Sequence, residues 1–259
     1  MTQKNIFITG CSSGIGLNTA RNLKKRGYRV LAGCRKNEDL VKLAAEGFDA
    51  IEIDLDDSHS IKQAANQILA LTQNKLYAIF NNAGFGVYGY LNSITRTQLE
   101  QQFSSNFFGV HELTQCLLPA MIEQKEGRII QTSSIMGFIS TPGRGAYAAS
   151  KYALEAWSDA LRLELKGTGI QVSLIEPGPV QTQFTQNVNQ TQKNDPIHNP
   201  SIATKFTVTP DDILPIIYHA LESKHAKIRY KISLMTKAVG ILKRLLPDKL
   251  MDKILQNKH

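Results

Sequence analysis

The sequence predicts a doubly wound α/β fold, in which helices cover both faces of one parallel β-sheet. Short runs rich in β-branched and aromatic residues alternate along the chain with longer segments of helical periodicity, the pattern of repeated βαβ units. A glycine-rich turn separates the first predicted strand from the first predicted helix. Since the chain has 259 residues, 42% of them apolar, we expect a single domain over residues 1–259.

The predicted elements follow one another in this alternating order. The expected strands are residues 6–9, 29–33, 50–54, 77–81, 128–132 and 171–175. The expected sheet-covering helices are residues 15–25, 61–72, 98–118 and 147–165. A polar, turn-rich stretch at 181–209 interrupts the alternation, and we expect it to leave the sheet as a lid over a substrate site.

The net charge of +8 is confined to the C-terminal end of the chain. Residues 224–259 contain 10 basic and 2 acidic residues, whereas residues 1–223 contain 20 of each. No segment before this tail combines a basic stripe with stacking aromatic residues, so we expect no nucleic-acid binding. The histidines and cysteines show no metal-ligand spacing, so we expect no metal site.

The sequence also indicates a compartment. The first residues do not form a secretory signal pattern, and charges interrupt every apolar run before it reaches the ~20 residues that span a bilayer. Cys11, Cys34 and Cys116 fit no disulfide framework. We therefore expect a cytoplasmic protein.

The turn after the first strand reads Thr-Gly-Cys-Ser-Ser-Gly-Ile-Gly over residues 9–16. Glycines let the backbone approach a pyrophosphate closely, and the N–H groups of the following helix favour its negative charge. A glycine-rich turn alone is ordinarily only a turn, but the strand before it and the helix after it favour a dinucleotide site. The candidate cofactor residues here are Gly10, Ser12, Ser13, Gly14, Ile15 and Gly16.

A second group of residues has the character of a catalytic site. Tyr147 and Lys151 stand four residues apart on one face of a predicted helix. Alone, such a pair is common and ordinarily structural. Ser134, however, lies 13 residues before Tyr147, just after the fifth predicted strand, and Asn106 lies in the preceding predicted helix. This combination resembles the catalytic set of the short-chain dehydrogenase/reductase family.

These motifs resemble those of the short-chain dehydrogenase/reductase family over nearly the whole chain. The family's T-G-x-x-x-G-x-G turn, its N-N-A-G segment at 81–84 and its Ser, Tyr-x-x-x-Lys and Asn set are all present. The resemblance implies a Rossmann domain, an oxidoreductase acting on CH–OH or C=O groups, and a catalytic set of Asn106, Ser134, Tyr147 and Lys151. It is closest to the hydroxysteroid and retinol dehydrogenase branch and its bacterial aldehyde-reductase-like members.

The resemblance implies further cofactor contacts. Asp54 ends the third predicted strand, where the family binds the adenine amino group, although a helix cap is the alternative interpretation. Thr182 ends a P-G-x-x-x-T segment whose threonine reaches the nicotinamide amide in the family. The remaining implied contacts are Leu55, Asn82, Ala83, Gly84, Tyr147, Lys151, Pro177, Gly178 and Val180.

The end of the second strand favours NADP over NAD. An acidic residue here binds a free ribose hydroxyl, whereas a cation binds the ribose phosphate. Cys34 stands where NAD-preferring family members have Asp, and Arg35 follows where NADP-preferring members place their phosphate clamp. A planar guanidinium suits a phosphate dianion. The alternative interpretation of Arg35 is a solvated loop residue.

Carbonyl reduction explains the types of the catalytic residues. A hydride reaches carbon and a proton reaches oxygen, so the acid needs a pKa near the working pH. Lowering the tyrosine pKa from about 10 to about 7 requires roughly 4 kcal/mol, and a lysine ammonium ~4 to 5 Å away supplies roughly 3 to 4 kcal/mol. We expect Tyr147 to donate the proton, Lys151 to lower its pKa and Ser134 to bind the carbonyl oxygen. Asn106 is expected to hold a proton-relaying water.

The expected substrate is a small apolar carbonyl compound, in the first place an aldehyde. Seven residues are candidates for an apolar pocket, although each could equally belong to the core: Phe85, Val87, Tyr88, Phe138, Ile139, Pro142 and Phe184. Two other functions remain open, namely reduction of carrier-bound acyl chains and a non-catalytic NADP-binding redox sensor.

Two surfaces are candidates for contacts with other molecules. The helices at 98–118 and 147–165 carry more apolar positions than one sheet face requires, and the resemblance implies a homodimer or homotetramer formed through them. The tail at 237–259 has the pattern of two short basic amphipathic helices. Its apolar positions either close over the substrate pocket or pack on the sheet, or they bind the surface of the inner membrane.

Overall fold

A computed structural model describes residues 3–184 and 207–256 of the chain. In this part of the chain, seven strands form one sheet in the order β3-β2-β1-β4-β5-β6-β7, and every neighbouring pair is parallel. The order reverses between β1 and β4, because the chain starts in the centre and builds outward on each side in turn. This is the doubly wound Rossmann arrangement that the sequence predicts.

The strand and helix bounds differ from the predicted ones mainly by a residue or two. The strands are β1 Asn5–Thr9, β2 Arg29–Cys34, β3 Asp49–Glu52, β4 Leu76–Asn81, β5 Gly127–Thr132, β6 Ile170–Glu176 and β7 Arg229–Lys231. The helices are α1 Gly14–Lys25, α2 Asn37–Ala45, α3 Ser58–Thr72, α4 Arg96–Phe103, α5 Gly109–Gln124, α6 Gly145–Glu164, α7 Pro210–Glu222, α8 Leu234–Leu245 and α9 Asp248–Leu255.

Strand β7 and helices α2 and α7 were not predicted. Strand β7 has three residues, two of them charged, and this is too short for the alternation of a strand to be recognised. Helix α2 buries only Leu43, so it lacks an apolar periodicity. Helix α7 contains Pro215, which argues against a helix, although Thr209 and Asp212 form a capping box at its start.

The helix predicted at 98–118 is present, but its pitch is not uniform. Helices α4 and α5 are separated by a π-helical turn at Ser104–Phe108, which contains Asn106. Such a turn inserts an extra residue into a helix and is frequent at functional sites. Gly109 follows it so close to the neighbouring loop that a Cβ there would lie 2.1 Å from the Leu55 carbonyl oxygen. The helix therefore changes its pitch where it passes the loop after β3, which contains Leu55.

Apolar clusters fill both sides of the sheet. Helices α3, α5 and α6 cover one face, where Ile79, Leu113 and Ile129 are fully buried. Helices α1 and α7 cover the other face, where Ile8 and Ile217 are fully buried. The two layers fix the carboxyl ends of the central strands along one edge of the sheet.

A third apolar cluster lies beside that edge and includes Tyr147. The inward positions of α8 and α9 pack against it, namely Met235, Val239, Leu242, Leu246, Met251 and Leu255. The structure thus places the C-terminal tail, as far as residue 256, over the side of the site where a substrate would enter. No helix of the described residues has the length and apolar composition needed to cross a bilayer.

The predicted lid at 181–209 lies for the most part outside the described residues. Its two ends are described, and they are joined. Val180 pairs with Val208 in an isolated parallel bridge. The backbone N–H of Gln181 donates to the Val208 carbonyl at 2.9 Å, and the Val208 N–H donates to the Pro179 carbonyl at 3.0 Å.

Candidate active site

The predicted site residues gather at the carboxyl edge of the sheet. Strand β1 runs into the glycine-rich turn, β4 into Asn82 and Ala83, β5 into Ser134 and β6 into Pro177. Because the carboxyl ends of parallel strands meet at one edge, four segments that are distant in sequence line a single crevice. This is the edge at which folds of this class bind ligands.

The glycine-rich turn lies directly against the loop that follows β4. Gly10 has a φ of +72°, and a Cβ there would lie 2.9 Å from the Ala83 Cα. A Cβ on Gly16 would lie 2.2 Å from the Gly10 carbonyl oxygen. These positions admit only glycine, and they leave a backbone cradle at the N-terminus of α1. Ser12, Ser13, Gly14 and Ile15 complete the same turn.

Thr9 and Asn82 hold the two walls of this cradle together. The Thr9 hydroxyl oxygen accepts the backbone N–H groups of Asn82 and Ala83 at 3.0 and 2.9 Å. The Asn82 side-chain amide donates in return to the Thr9 carbonyl at 3.1 Å. The Ser13 side chain makes no capping bond to α1. The first N–H groups of the helix therefore remain available for an anion such as a pyrophosphate.

The adenosine end of the crevice contains Arg35 and Asp54. Their nearest charged atoms are 3.8 Å apart, which is longer than a hydrogen bond, and the Arg35 side chain is 63% exposed. Asp54 accepts the Asp56 N–H at 3.1 Å, whereas Asp57 caps helix α3 by accepting the His59 N–H. Asp54 is thus not the helix cap. A polar cavity of about 400 Å³ lies between Arg35, Asp54 and the start of α3.

The segment after β6 reaches back to the glycine-rich turn. The Pro177 carbonyl accepts the Ile135 N–H at 2.8 Å, which ties this segment to the loop that contains Ser134. The Thr182 side chain lies over Gly14, where a Cβ would meet it at 3.1 Å. Gly178 faces Ser233 and Thr236 at the start of α8. The segment therefore lies between the cradle and the C-terminal helices, with Val180 at its centre.

The four predicted catalytic residues are all buried and close to one another. Lys151 donates from its Nζ to the Thr132 carbonyl at 2.7 Å, and this Nζ lies 5.8 Å from the centre of the Tyr147 ring. The Ser134 side chain lies close enough to Tyr147 to favour its ionised form. Ser134 accepts the Met136 N–H at 3.1 Å, which fixes its rotamer. The arrangement therefore places the Ser134 and Tyr147 side chains next to each other.

Asn106 is placed by the π-helical turn and holds the loop after β4. Its side-chain oxygen accepts the Phe85 N–H at 3.1 Å, and its amide donates to the Phe85 carbonyl at 2.9 Å. The same amide lies 3.3 Å from the Ser150 hydroxyl on α6. Asn106 therefore links the cofactor-side loop to the helix that contains Tyr147 and Lys151.

Burial dominates the ionisation of the catalytic pair. It raises the pKa of Tyr147 above its ordinary value, while the hydrogen bond to Ser134 and the charge of Arg144 act in the opposite direction. Burial lowers the pKa of Lys151 to about 8, while the negative charge of Glu155 raises it. The raised pKa of Tyr147 differs from the lowering by Lys151 that the sequence predicts, because burial penalises the phenolate and is the largest influence on this group.

Sequence reasoning missed two residues that shape the site. Gln102 is fully buried, accepts the Val87 N–H at 2.6 Å and donates to the Phe85 carbonyl at 2.9 Å. It lies one helical turn before Asn106, and this spacing is the only signal that could have identified it. The Thr132 carbonyl, which binds Lys151, is a backbone group and has no sequence signal at all.

Apolar side chains pack around the Tyr147 side chain. Four of the seven candidate pocket residues belong to the cluster that contains Tyr147, namely Tyr88, Phe138, Ile139 and Phe184. Pro142 lines a neighbouring cavity of about 380 Å³, together with Tyr90, Leu91 and Leu255. Among the residues that the structure describes, no three His, Cys, Asp or Glu side chains are grouped as metal ligands.

Comparisons with known proteins identify the family. The short chain dehydrogenase family pattern matches residues 4–193. The uncharacterized oxidoreductase YbbO of Escherichia coli K12 is 61% identical over 254 residues, which cover 98% of this chain and 94% of that protein. The 17-beta-hydroxysteroid dehydrogenase type 6 of Bos taurus is 32% identical, and the match covers 98% of this chain and 88% of that protein.

A solved structure agrees at the level of the fold. The crystal structure of an actinorhodin polyketide ketoreductase variant with NADPH has a TM-score of 0.78 and 25% identity, and the match covers 89% of this chain and 95% of that one. With the family pattern matched over most of the chain and a relative above 60% identity, the protein belongs to the short-chain dehydrogenase/reductase family and is an oxidoreductase that acts on CH–OH or C=O groups with a nicotinamide cofactor.

Proposed function

We propose that the protein is an NADP(H)-dependent reductase of small apolar carbonyl compounds, in the first place aldehydes. The observation that carries the proposal is the hydroxyl pair of Ser134 and Tyr147, which lies between a backbone cradle for a dinucleotide and an apolar cluster. The cradle suits the cofactor and the cluster suits an apolar substrate, so the two reactants would meet at the hydroxyl pair.

The chain's own residues account for the proton. The Ser134 hydroxyl donates a hydrogen bond to the substrate oxygen, which gains negative charge during reduction. Tyr147 then releases its proton to this oxygen, and the Lys151 ammonium, fixed by the Thr132 carbonyl, stabilises the phenolate that remains. The bound nicotinamide supplies the hydride for the substrate carbon. Asn106 is proposed to hold the water that returns a proton to this pair.

NADP fits the adenosine end better than NAD. The exposed Arg35 guanidinium has only a long contact with Asp54, so it is available to a ribose phosphate. Burial raises the pKa of the Cys34 thiol to about 11, so this position has no negative charge that would repel the phosphate at neutral pH. The ketoreductase with NADPH shows a relative of this fold with the same cofactor.

The test is a panel of carbonyl compounds followed by the loss of NADPH absorbance. We expect aliphatic and aromatic aldehydes to be reduced with NADPH and much more slowly with NADH. If the protein reduces only acyl groups that are attached to a carrier protein, the function is instead the reduction of carrier-bound acyl chains. NADPH binding without turnover of any compound would favour the redox sensor.

The outer surface of the C-terminal helices supports a peripheral membrane contact, which we include in the proposal. Besides their packed face, α8 and α9 have a second apolar stripe, which is exposed. It consists of Leu234, Ile241 and Leu245 on α8 and of Leu250 and Ile254 on α9. Lys237 and Arg244 flank the stripe on α8, and Lys253 flanks it on α9. Burial of apolar side chains next to cations favours binding to an anionic bilayer, and each cation contributes about 1 kcal/mol to the binding free energy.

Liposome co-sedimentation tests this contact. The full chain should bind vesicles that contain anionic lipid and not neutral vesicles, and Ile241→Asp with Leu245→Asp should abolish binding without loss of activity. If the double variant binds as the wild type does, or the wild type binds no vesicle, the contact is excluded. Such a contact would place a cytoplasmic enzyme at the inner membrane surface, where apolar carbonyl compounds accumulate.

The face of α4, α5 and α6 supports the proposed homodimer or homotetramer. Phe108 is 57% exposed beside Phe103 and Phe107, and Leu163 on α6 is 63% exposed. Exposed aromatic and aliphatic side chains on neighbouring helices favour pairing with a second copy. Sedimentation should give a dimer or tetramer at micromolar concentration, and Phe108→Asp should shift it to the monomer. A wild-type monomer would exclude this assembly.

A further inference from the structure

A buried charged cluster lies behind Lys151, on the side away from the cofactor cradle. Arg229 on β7 contacts Glu155 at 2.9 Å and Glu176 at 3.3 Å, and it donates to Asp159 at 2.7 Å. Glu155 is 7% exposed and Glu176 is 1% exposed, whereas the Asp159 side chain is 39% exposed. Neither the proposed mechanism nor any cofactor contact uses this cluster.

The sheet register brings these residues together. Arg229 pairs with Leu174, and Lys231 pairs with Glu176. Because side chains alternate along a strand, Arg229 and Glu176 lie on the same face of the sheet, the face that α6 covers. Arg229 spans the space between this face and α6, where Glu155 and Asp159 stand one helical turn apart. A buried cluster built from three elements is held by one guanidinium.

The cluster has two buried carboxyl groups, Glu155 and Glu176, and both contact the single Arg229 guanidinium. Burial raises the pKa of Glu176 to about 7, and the charge of Glu155 acts in the same direction, while Lys231, Arg229 and Arg244 lower it. One Glu176 oxygen, Oε2, is buried without a hydrogen-bond partner. Burial also raises the pKa of Glu155, but the Ser133 hydroxyl and Arg229 lower it. The 2.9 Å contact with Arg229 favours the ionised form of Glu155, whereas Glu176, with a pKa raised to about 7, titrates near neutral pH.

Two contacts join Glu155 to the catalytic residues. It lies one helical turn after Lys151 on α6, and its charge favours the protonated form of Lys151. It also packs beneath the turn that contains Ser134. A Cβ on Gly137 would lie 3.0 Å from the Glu155 Cγ and 2.6 Å from the Ser133 Oγ, so this position leaves no room beyond glycine. The groups that face the catalytic Tyr147 from other elements are Tyr88 and Arg144.

We propose that Glu155, held by Arg229, is a positioning residue that keeps Lys151 protonated inside the buried site. The proton on Glu176 adjusts this effect, because its loss adds a second negative charge to the cluster. In this proposal the cluster acts through Lys151 and contributes no group to the reaction itself. The catalytic consequence rests on the proposed carbonyl reductase function, but the ionisation of Lys151 does not.

The experiment measures the ionisation of Lys151 directly. Lysine side chains labelled with ¹³C at Cε are titrated by NMR in the resting protein, and the Lys151 signal is assigned by its absence in Lys151→Met. In Glu155→Gln, the midpoint of the Lys151 titration should move to lower pH by about one unit, which is a tenfold change in protonation. Asp159→Asn removes a carboxylate from the same arginine at an exposed position, and it should leave the midpoint unchanged.

Activity provides the second readout. In Glu155→Gln, the alkaline limb of the pH profile of kcat/KM should move to lower pH by the same amount. Glu155→Asp keeps a carboxylate, so its profile should lie close to that of the wild type. Glu176→Gln covers the case in which Glu155→Gln does not fold, and it should shift the Lys151 midpoint in the same direction by a smaller amount. An unchanged Lys151 midpoint in the folded glutamine variants would overturn the inference, whatever their thermal stability. A shifted midpoint in a protein that reduces no carbonyl compound would instead overturn only the proposed function.

Discussion

The two halves of the site are built by different means. On the cofactor side, β1 and β4 bring backbone against backbone, and Thr9, Asn82 and the glycines of the turn hold the cradle at fixed distances. On the substrate side, apolar side chains from the loops after β4 and β5 and from α8 and α9 pack against Tyr147. A backbone cradle tolerates almost no substitution, whereas a side-chain wall can change shape without moving the main chain. The proposed chemistry lies at the boundary, on Ser134 and Tyr147.

The largest effect should come from the boundary itself. In Tyr147→Phe, the proton donor is removed while the ring and its packing remain, so carbonyl reduction should fall by about 10²- to 10⁴-fold. NADPH binding, measured by nicotinamide fluorescence, should be nearly unchanged. A folded variant that keeps a substantial fraction of wild-type activity would show that the proton comes from another group.

The cofactor side should respond sharply to one added methyl group. In Gly16→Ala, the Cβ would lie 2.2 Å from the Gly10 carbonyl oxygen, so the turn must shift and cofactor affinity should fall by about 10²-fold. Gly27→Ala is the matched control, because Gly27 has a φ of +88° and no neighbour within 4 Å of an added Cβ. It should lower stability by about 1 kcal/mol and leave affinity unchanged. Equal affinity losses in both variants would contradict the cradle.

The cofactor preference should change at a single exposed side chain. Arg35→Ala should weaken NADPH binding by roughly 10- to 100-fold, the range for hydrogen bonds to a charged group, and leave NADH binding unchanged. Lys36→Ala tests the adjacent cation in the same titration. If Arg35→Ala keeps the wild-type preference while Lys36→Ala loses it, the phosphate contact belongs to Lys36.

Substitutions on the substrate side should change KM more than they change kcat. Met251→Ala removes a side chain that is 2% exposed within the apolar cluster, so it should raise KM for apolar aldehydes and lower stability by about 2 kcal/mol or more. Ile254→Ala on the exposed side of the same helix should change stability by less than about 0.5 kcal/mol. Identical KM values in both variants would mean that α9 does not border the substrate.

The smallest effect concerns pH. Since burial lowers the Lys151 pKa to about 8, kcat/KM for reduction should fall to half of its plateau near pH 8 and continue to fall above it. The sign follows from the role of the ammonium, which stabilises the phenolate only while it is protonated. A profile that stays flat to pH 9.5 would contradict it.

Local sequence motifs identify many of the residues proposed for this site, whereas contacts between distant segments have no such motif. The glycine turn, Ser134, Tyr147 and Lys151 are recognisable because each depends on spacing within a short segment. The cluster around Arg229 depends on a three-residue strand that pairs with residues far away in the sequence, so no local pattern announces it. The tail shows a third case. Two apolar stripes on α8 and α9, one packed and one exposed, merge into a single amphipathic pattern when the sequence alone is read.

The bridge between Val180 and Val208 has a consequence for how the enzyme can be remodelled. The chain on either side of residues 185–206 is fastened together by backbone hydrogen bonds between Gln181, Val208 and Pro179, and main-chain bonds do not require particular side chains. Doubling the length of a loop costs only about 0.6 kcal/mol of closure entropy. The bridge is therefore expected to survive changes in the length of the chain between its two halves, while the cradle and Tyr147 stay in place.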